Sequence, residues 1–148
     1  MRNLNKLALT LFLGISVLSC SVSPEPINFG EDHCAHCKMK IVDPKFGGEL
    51  VTRKGRIYKF DALECLIPYL DENNVTEYAH VLAIAYDFPK TLFNVNELGF
   101  EIDPAYNSPM GMNLAALGNP DNGKSKALMN WESIQKQIAA SNFQLVAP

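Results

Sequence analysis

The sequence predicts an α+β fold with short mixed or antiparallel sheets. Residues 49 to 88 follow the order strand, strand, helix, strand, and the second half of the chain ends with extended segments followed by an amphipathic helix. Strands grouped with a helix in this way, rather than alternating regularly with helices, are typical of α+β domains. The chain is therefore predicted to contain two small strand-and-helix units in series, although no sequence repeat relates them.

A β-hairpin and a third strand frame the first unit. Residues 49–52 and 56–60 flank Arg53-Lys54-Gly55, in which the glycine supplies the positive φ that a hairpin turn needs. Residues 78–88 are rich in valine, isoleucine, alanine and tyrosine, which predicts the third strand.

A helix is predicted from Ala62 to Leu70, between the hairpin and the third strand. Asp61 is the predicted N-cap, and Glu64 follows three residues later, as in a capping box. Pro68 lies inside this run and is expected to shorten or kink the helix. Cys65 falls on the apolar face, so the sequence favours a buried small side chain there over a metal ligand.

The second unit carries weaker signals. Residues 91–95 and 114–117 are predicted to be extended, residues 99–107 to form a loop, and residues 118–123 to form a turn. A closing helix is predicted over Ser125–Ala140. Its apolar residues at helical spacing are Leu128, Trp131, Ile134 and Ile138.

Residues 1–19 have the pattern of a lipoprotein signal peptide. Arg2 and Lys6 precede an apolar run over residues 7–18, which suits a secretory signal and is too short to span a membrane. The run ends at Ser19-Cys20, which fits the lipobox of bacterial lipoproteins. Cleavage before Cys20 would leave it as a lipid-modified anchor on the extracytoplasmic side. Ordinary cleavage nearby, with Cys20 lost or left free, is the alternative.

Charge and cysteine content narrow the class of function. The chain of 148 residues has a formal net charge of −3 at pH 7 and no basic cluster, which argues against nucleic-acid binding. Residues 20–32 contain prolines and acids and are predicted to form a lipidated tether. Of the four cysteines, three remain once Cys20 is set aside. At least one of those thiols is therefore free, in exchange, or bound to metal.

The stretch from His33 to Ile41 concentrates reactive side chains. Thiolate, imidazole and thioether groups within it make a soft ligand set, which favours Cu(I) over hard cations. The Cys-x-x-Cys pair also fits half of a zinc site, with His33, His36 and Cys65 as candidates to complete it. A further alternative is a redox dithiol that closes to a disulfide. The candidate ligands in this stretch are Cys34, His36, Cys37 and Met39.

A second short stretch, Met110-Gly111-Met112, is rich in thioethers. Core methionines should scatter over helices and strands, but Met39, Met110 and Met112 all lie in predicted loops. This bias favours a ligand role, because thioethers bind soft metals without losing a proton. Gap-filling in the core is the alternative.

A set of motifs between about Cys34 and Ile134 resembles a known family. The set consists of Cys37-Lys38-Met39, Ile41, Asp43, Phe46-Gly47, Phe60-Asp61, Cys65, Pro109-Met110 and Trp131-Glu132. It is similar to the NosL family, whose members are copper-binding lipoproteins that assist maturation of nitrous oxide reductase. Two residues depart from the usual family pattern, since His36 replaces an aromatic residue and Lys38 replaces a glycine.

The resemblance implies a function, partners and a fold. It implies a membrane-anchored lipoprotein on the periplasmic side that carries Cu(I) and delivers it to the copper sites of nitrous oxide reductase, in company with an ABC transporter complex. It also implies a copper-binding domain over residues 33–148. This domain would consist of two small ββαβ-type units, residues 33–90 and 91–148, resembling the organomercurial lyase-like fold. The ligands implied by position are Cys37, Met39 and Met110, and the further candidates are Cys34, His36 and Met112.

The sequence predicts a carrier rather than an enzyme. It has no Ser-His-Asp set, phosphate-binding loop or spaced pair of carboxylates. Three alternatives stay open: a copper carrier for another cuproenzyme, a thiol–disulfide redox protein using Cys34 and Cys37, and a structural zinc module. The pair lacks a thioredoxin-like strand-to-helix setting, and zinc has no particular use for thioethers.

Overall fold

The computed structural model describes residues 22–73, 78–124 and 127–141. The predicted signal peptide over residues 1–19 and its anchor Cys20 lie outside these ranges. Within them, no helix is long and apolar enough to cross a membrane. The elements are β1 Gly48–Thr52, β2 Ile57–Phe60, α1 Leu63–Asn73, β3 Tyr78–Ala85, β4 Phe88–Asn94, β5 Gly99–Ile102, β6 Leu114–Leu117 and α2 Trp131–Ala140.

The predicted α+β class is confirmed by two antiparallel sheets and two α-helices in the described residues. Four strands form one sheet in the order β2-β1-β3-β4, and β5 pairs with β6 in the other. The β1–β2 hairpin pairs Gly48 with Phe60 and Val51 with Ile57, as the sequence predicts. Gly55 has a φ of +79° at its turn, which is the conformation that the glycine was expected to supply.

The first unit extends further than its predicted boundary at residue 90. Strand β4 covers Phe88–Asn94 and pairs antiparallel with β3, so that boundary falls inside a strand. The first unit is therefore ββαββ. The described part of the second unit contains β5, β6 and α2, and the backbone N–H of Tyr86 joins the two sheets by donating to Ala116.

Helix α1 is longer than predicted, and its capping box is wrong. The helix runs to Asn73 with Pro68 inside it, and Ala62 accepts the first helical bond from Leu66. Glu64 is fully buried and accepts a hydrogen bond from Ser108 instead of turning back towards Asp61. A capping box needs that glutamate on the exposed side of the first turn, whereas here it faces the protein interior.

Helix α2 begins later than the predicted Ser125. The side chain of Asn130 caps it by accepting from the N–H of Ser133 at 2.9 Å. Met129 is not helical, because it forms an isolated antiparallel bridge with Phe100, with both backbone bonds at 2.9 Å. Pairing with β5 thus satisfies the backbone at this position and delays the helix.

The predicted tether is partly packed onto the domain. Ile27 is buried in the core, and the N–H of Glu25 donates to the carboxylate of Glu49 at 3.0 Å. Lys59 donates to the carbonyl of Pro26 at 2.8 Å and to Asp32 at 2.7 Å. An apolar side chain and paired charges therefore hold residues 25–32 of the predicted tether on the sheet.

Most of the core lies in two clusters of apolar side chains. The cysteine cluster, as we call it, packs around α1 and the first sheet and consists of Ile27, Cys34, Ile41, Leu50, Phe60, Cys65, Leu66 and Ile84. A larger cluster fills the space between α1, α2 and the second sheet, with Phe100, Leu114 and Ile134 among its members. Trp131 packs against both clusters, so the start of α2 joins the two units.

We predict that Gly48→Ala destabilises the fold by about 1 to 3 kcal/mol, the usual cost of overpacking. A Cβ at this position would lie 2.5 Å from Cδ1 of Leu66 and 2.8 Å from the carbonyl oxygen of Leu82. Denaturant unfolding measures the cost, and it should be smaller in a Leu66→Val background, which lacks that Cδ1. Equal costs in both backgrounds would contradict the contact.

Candidate metal centre

A tight turn carries the first two cysteines. The backbone N–H of Cys34 donates to the carbonyl of Met39 at 2.8 Å, and the N–H of Lys38 donates to the carbonyl of Cys34 at 3.1 Å. The N–H of Ala35 donates to the carbonyl of Lys59 at 2.8 Å, which fixes the turn to β2. The backbone therefore presents this turn at the end of the strand that leads into α1.

Lys38 closes this turn with a φ of +65°. That left-handed conformation costs a residue with a Cβ roughly 1 kcal/mol or more and is tolerated best by glycine. The turn geometry thus gives a physical reason for a glycine at this position, where the family resemblance implies one. This chain has lysine there and keeps the turn through its hydrogen bonds.

Three cysteine sulfurs meet at the point where β2 ends and α1 begins. The Sγ atoms of Cys34, Cys37 and Cys65 all lie within 4.8 Å of one another, and all three cysteines are free thiols. Cys65 is buried, as predicted, but the structure also places its sulfur beside the other two. The odd number of cysteines was the sequence signal for this arrangement, whereas the position of Cys65 on the apolar face of the helix had favoured simple burial.

The sulfur of Cys34 is held as a thiolate. A hydrogen bond from the Cys65 thiol is the main cause, and the backbone N–H groups of Asp61, Cys37 and His36 add to it, so that the pKa of Cys34 falls to about 5 despite its burial. The same bond raises the pKa of Cys65, which must stay protonated to donate. Burial and the neighbouring Cys34 charge raise the pKa of Cys37.

Asp61 adds a second negative charge to this buried region. Its side chain is 2% exposed, and burial together with the charge of the Cys34 thiolate raises its pKa to about 6. Its Oδ1 atom has no hydrogen-bond partner among the described residues. Buried anions with incomplete hydrogen bonding are unfavourable unless a cation compensates them. The donor set therefore suits a bound cation.

The separation of the sulfurs fits a single metal ion. A metal bound to three sulfurs at about 2.3 Å each needs sulfur–sulfur separations of about 4 Å. The observed separations, none above 4.8 Å, are within about 1 Å of that value. Cys34 is 1% exposed and Cys65 is fully buried, whereas Cys37 is half-buried, so Cys37 forms the accessible side of the site.

The two histidines of the ligand stretch, His33 and His36, lie outside the group of three sulfurs. Nδ1 of His36 lies 3.7 Å from the carboxylate of Glu72, and its ring packs edge-on against Tyr69. His33 is exposed and pairs with Lys40 through the backbone. In the part of the chain that the structure describes, neither ring joins the cysteine sulfurs in a common ligand group.

The structure separates the three loop methionines that the sequence treats alike. Met110 is half-buried and packs against the cysteine cluster, to which Cys34 and Cys65 belong. Met112 packs against the larger cluster instead. Met39 is 39% exposed at the rim of the turn. Of the two methionines in the second stretch, Met110 is therefore the one that packs against the cluster containing Cys34 and Cys65.

We predict that the metal-free protein contains one thiolate at neutral pH, visible as ultraviolet thiolate absorbance with a midpoint near pH 5. Cys34→Ser should remove this signal, and Cys65→Ala should move the midpoint to higher pH, because the strongest hydrogen bond to the thiolate is lost. Cys37→Ser should leave a low midpoint, since Cys37 titrates above its ordinary value.

The lowered pKa of Cys34 makes the stability of the metal-free protein depend on pH. The pKa of Cys34 in the folded protein, about 5, lies below its ordinary value of 9.0. The thiolate therefore contributes its full stabilisation above pH 9, and this contribution is lost as the pH falls from 9 to 5. Between neutral pH and about pH 9, Asp61 stays ionised, and stability should rise with pH in wild type more than in Cys34→Ser. Parallel pH profiles for the two proteins would contradict the assignment.

No protein-family model and no curated protein matches this chain. Among solved structures, it is similar to the copper chaperone NosL from Shewanella denitrificans, with a TM-score of 0.64 and 17% sequence identity. The match covers 74% of this chain and 93% of that chain. The chain therefore has the fold of a solved copper chaperone.

Proposed function

We propose that this chain is a copper chaperone of the NosL type that carries Cu(I) as its cargo. The observation that carries the proposal is the convergence of the sulfurs of Cys34, Cys37 and Cys65 within 4.8 Å, with Met110 packed against the same cluster. Thiolate and thioether sulfur are the ligands that Cu(I) prefers. The likeness of the fold to a copper chaperone supports the same conclusion.

The burial pattern suits loading and release of a metal ion. Cys34 and Cys65 lie inside the protein, whereas Cys37 and Met39 are accessible. A partner's ligands would therefore approach from the side of Cys37 and replace the accessible ligands first. The buried pair would hold the ion until this exchange is complete.

Zinc is less well supported as the cargo. Structural zinc sites in proteins almost always have four protein ligands. Among the described residues, only three cysteines form a ligand group, and no histidine or carboxylate completes it. Met110, which packs against the cysteine cluster, offers a thioether, and this kind of ligand suits Cu(I) better than zinc.

Thiol–disulfide exchange is also less well supported. An attacking cysteine must be both deprotonated and accessible. Cys34 is deprotonated but 1% exposed, and Cys37 is accessible but has a raised pKa. Neither thiol combines the two properties.

The recipient and the location follow from the family resemblance. We infer that the protein delivers copper for the copper sites of nitrous oxide reductase, together with an ABC transporter complex. We also infer that a lipid on Cys20 anchors it to the extracytoplasmic side of a membrane. A carrier for another cuproenzyme is the alternative. Loading copper-depleted nitrous oxide reductase with the copper-bound protein tests the recipient directly.

We predict that Cys34→Ser, Cys37→Ser and Cys65→Ser each weaken Cu(I) binding by more than tenfold, which is about 1.4 kcal/mol. The measurement is a competition titration against a Cu(I) chelator. Cys37→Ser should abolish tight binding, because the accessible thiol, which would lose its proton on binding the metal, is then missing. Metal analysis that finds stoichiometric zinc, which added Cu(I) fails to displace, would contradict a copper cargo.

Met110→Leu should weaken Cu(I) binding by a smaller factor than a cysteine substitution, because a neutral thioether is lost from the site. Leucine nearly conserves the volume of methionine, so the fold should be kept. Met112→Leu, in the same loop but packed against the larger cluster, is the matched control and should bind as wild type does. Met39→Leu should also weaken binding. If Met112→Leu is impaired and Met110→Leu is not, the choice of methionine is mistaken.

We predict that Cys20→Ala releases the protein into the soluble fraction, because multiple acyl chains provide the anchor. Cell fractionation measures this, with Cys34→Ala as a control that should stay in the membrane. A Cys20→Ala protein that remains in the membrane would contradict lipid anchoring.

A further inference from the structure

Glu64 is a buried carboxylate that the proposed copper site does not use. It occupies the second residue of α1, directly before Cys65, and is fully buried. Its Oε1 atom accepts a hydrogen bond from Oγ of Ser108 and a weaker one from the N–H of Leu114 at 3.4 Å. Its Oε2 atom has no hydrogen-bond partner among the residues that the structure describes.

The partner of Glu64 begins the loop that carries Met110. Ser108 is itself buried, and its Oγ also accepts from the N–H of Asn113 at 2.8 Å. Its carbonyl accepts from the N–H of Gly111 at 3.0 Å. Ser108 therefore closes the loop from both ends, and Met110 lies inside the closed segment.

The conformation of this loop is tightly constrained. Asn107, Gly111 and Asn113 all have positive φ, with values of +49°, +84° and +61°. Residues in the left-handed region on both sides of Met110 restrict the path of the backbone. Once Ser108 is held in place, the side chain of Met110 has few possible positions. The hydrogen bond from Ser108 to Glu64 fixes it to the helix that carries Cys65.

We propose that Glu64 and Ser108 form a latch that positions the thioether of Met110 against the cysteine cluster. The inference rests on the proposed function, and it makes both residues positioning residues rather than copper ligands. The latch joins residues 44 positions apart in the sequence, so it couples the helix of one unit to the methionine loop of the other.

The energetics of the latch favour a positioning role over a stabilising one. A buried carboxylate with one oxygen unpaired costs free energy, and an apolar pair of similar shape would stabilise the core at least as well. A directional hydrogen bond fixes the loop at one place on α1, which an apolar contact does less sharply. Partners that orient metal ligands typically contribute 10- to 100-fold to metal affinity.

The test is a double-mutant cycle in the full chain, read by Cu(I) competition titration. Ser108→Ala should weaken Cu(I) binding by on the order of tenfold, by a factor similar to that of Met110→Leu. If the latch acts through Met110, adding Met110→Leu to Ser108→Ala should cause no further loss. X-ray absorption of the copper-loaded Ser108→Ala protein should show one sulfur fewer around copper than in wild type.

Tyr106→Phe is the matched control. It also removes a hydroxyl donor from a buried glutamate, since the hydroxyl of Tyr106 donates to Glu101 at 2.6 Å, but this pair does not hold the methionine loop. It should lower the unfolding temperature of the protein without lowering Cu(I) affinity. Glu64→Gln retains the Oε1 acceptor for Ser108, so it should bind copper much better than Glu64→Leu does.

The outcomes separate this inference from the proposed function. If wild type binds Cu(I) through its cysteines but the losses from Ser108→Ala and Met110→Leu simply add, the latch is overturned and the chaperone function stands. The latch is also overturned if Tyr106→Phe and Ser108→Ala weaken binding equally. Failure of the wild-type protein to bind Cu(I) would overturn the proposed function itself.

Discussion

The sulfur of Cys34 accepts hydrogen bonds from three parts of the chain. Backbone N–H groups of its own turn donate to it, as do the N–H of Asp61 at the end of β2 and the thiol of Cys65 in α1. One thiolate therefore joins the ligand turn, the hairpin and the helix. These bonds add to the backbone bond between Ala35 and Lys59 and to the core packing of Cys34 and Cys65, which together bring the three sulfurs close.

This arrangement concentrates negative charge before any cargo arrives. The Cys34 thiolate and the buried Asp61 lie together, and Asp61 has an unpaired oxygen among the described residues. Folding disfavours the charge of Asp61 in the metal-free protein, and a bound cation would compensate that charge where water cannot. Cys34 and Cys65 are buried whereas Cys37 is accessible, so under the proposed function the transfer of copper to a partner would begin at Cys37.

The second unit frames the site as well as completing the core. Its loop places Met110 against the cysteine cluster, while Met112, two residues later, packs against the larger cluster. Trp131 at the start of α2 contacts both clusters, and Glu64 reaches from α1 to Ser108 in the loop. The N-terminal segment also packs on the domain, because Ile27 is buried in the core and Lys59 of β2 binds Pro26 and Asp32. The part of the chain nearest the proposed anchor is thus held on the domain.

Features that depend on neighbouring residues could be predicted from the amino-acid sequence. The turn residues up to Gly55, between two short extended segments, predicted the hairpin, and the spacing of soft side chains predicted a metal-binding turn at Cys34 and Cys37. Only the tertiary structure decided that Cys65 joins that turn, and that Glu64 binds Ser108 instead of capping its own helix. It likewise assigned Met110 and Met112 to different clusters. These outcomes depend on side chains tens of residues apart, whose packing overrides local preference and leaves no periodic signal in the sequence.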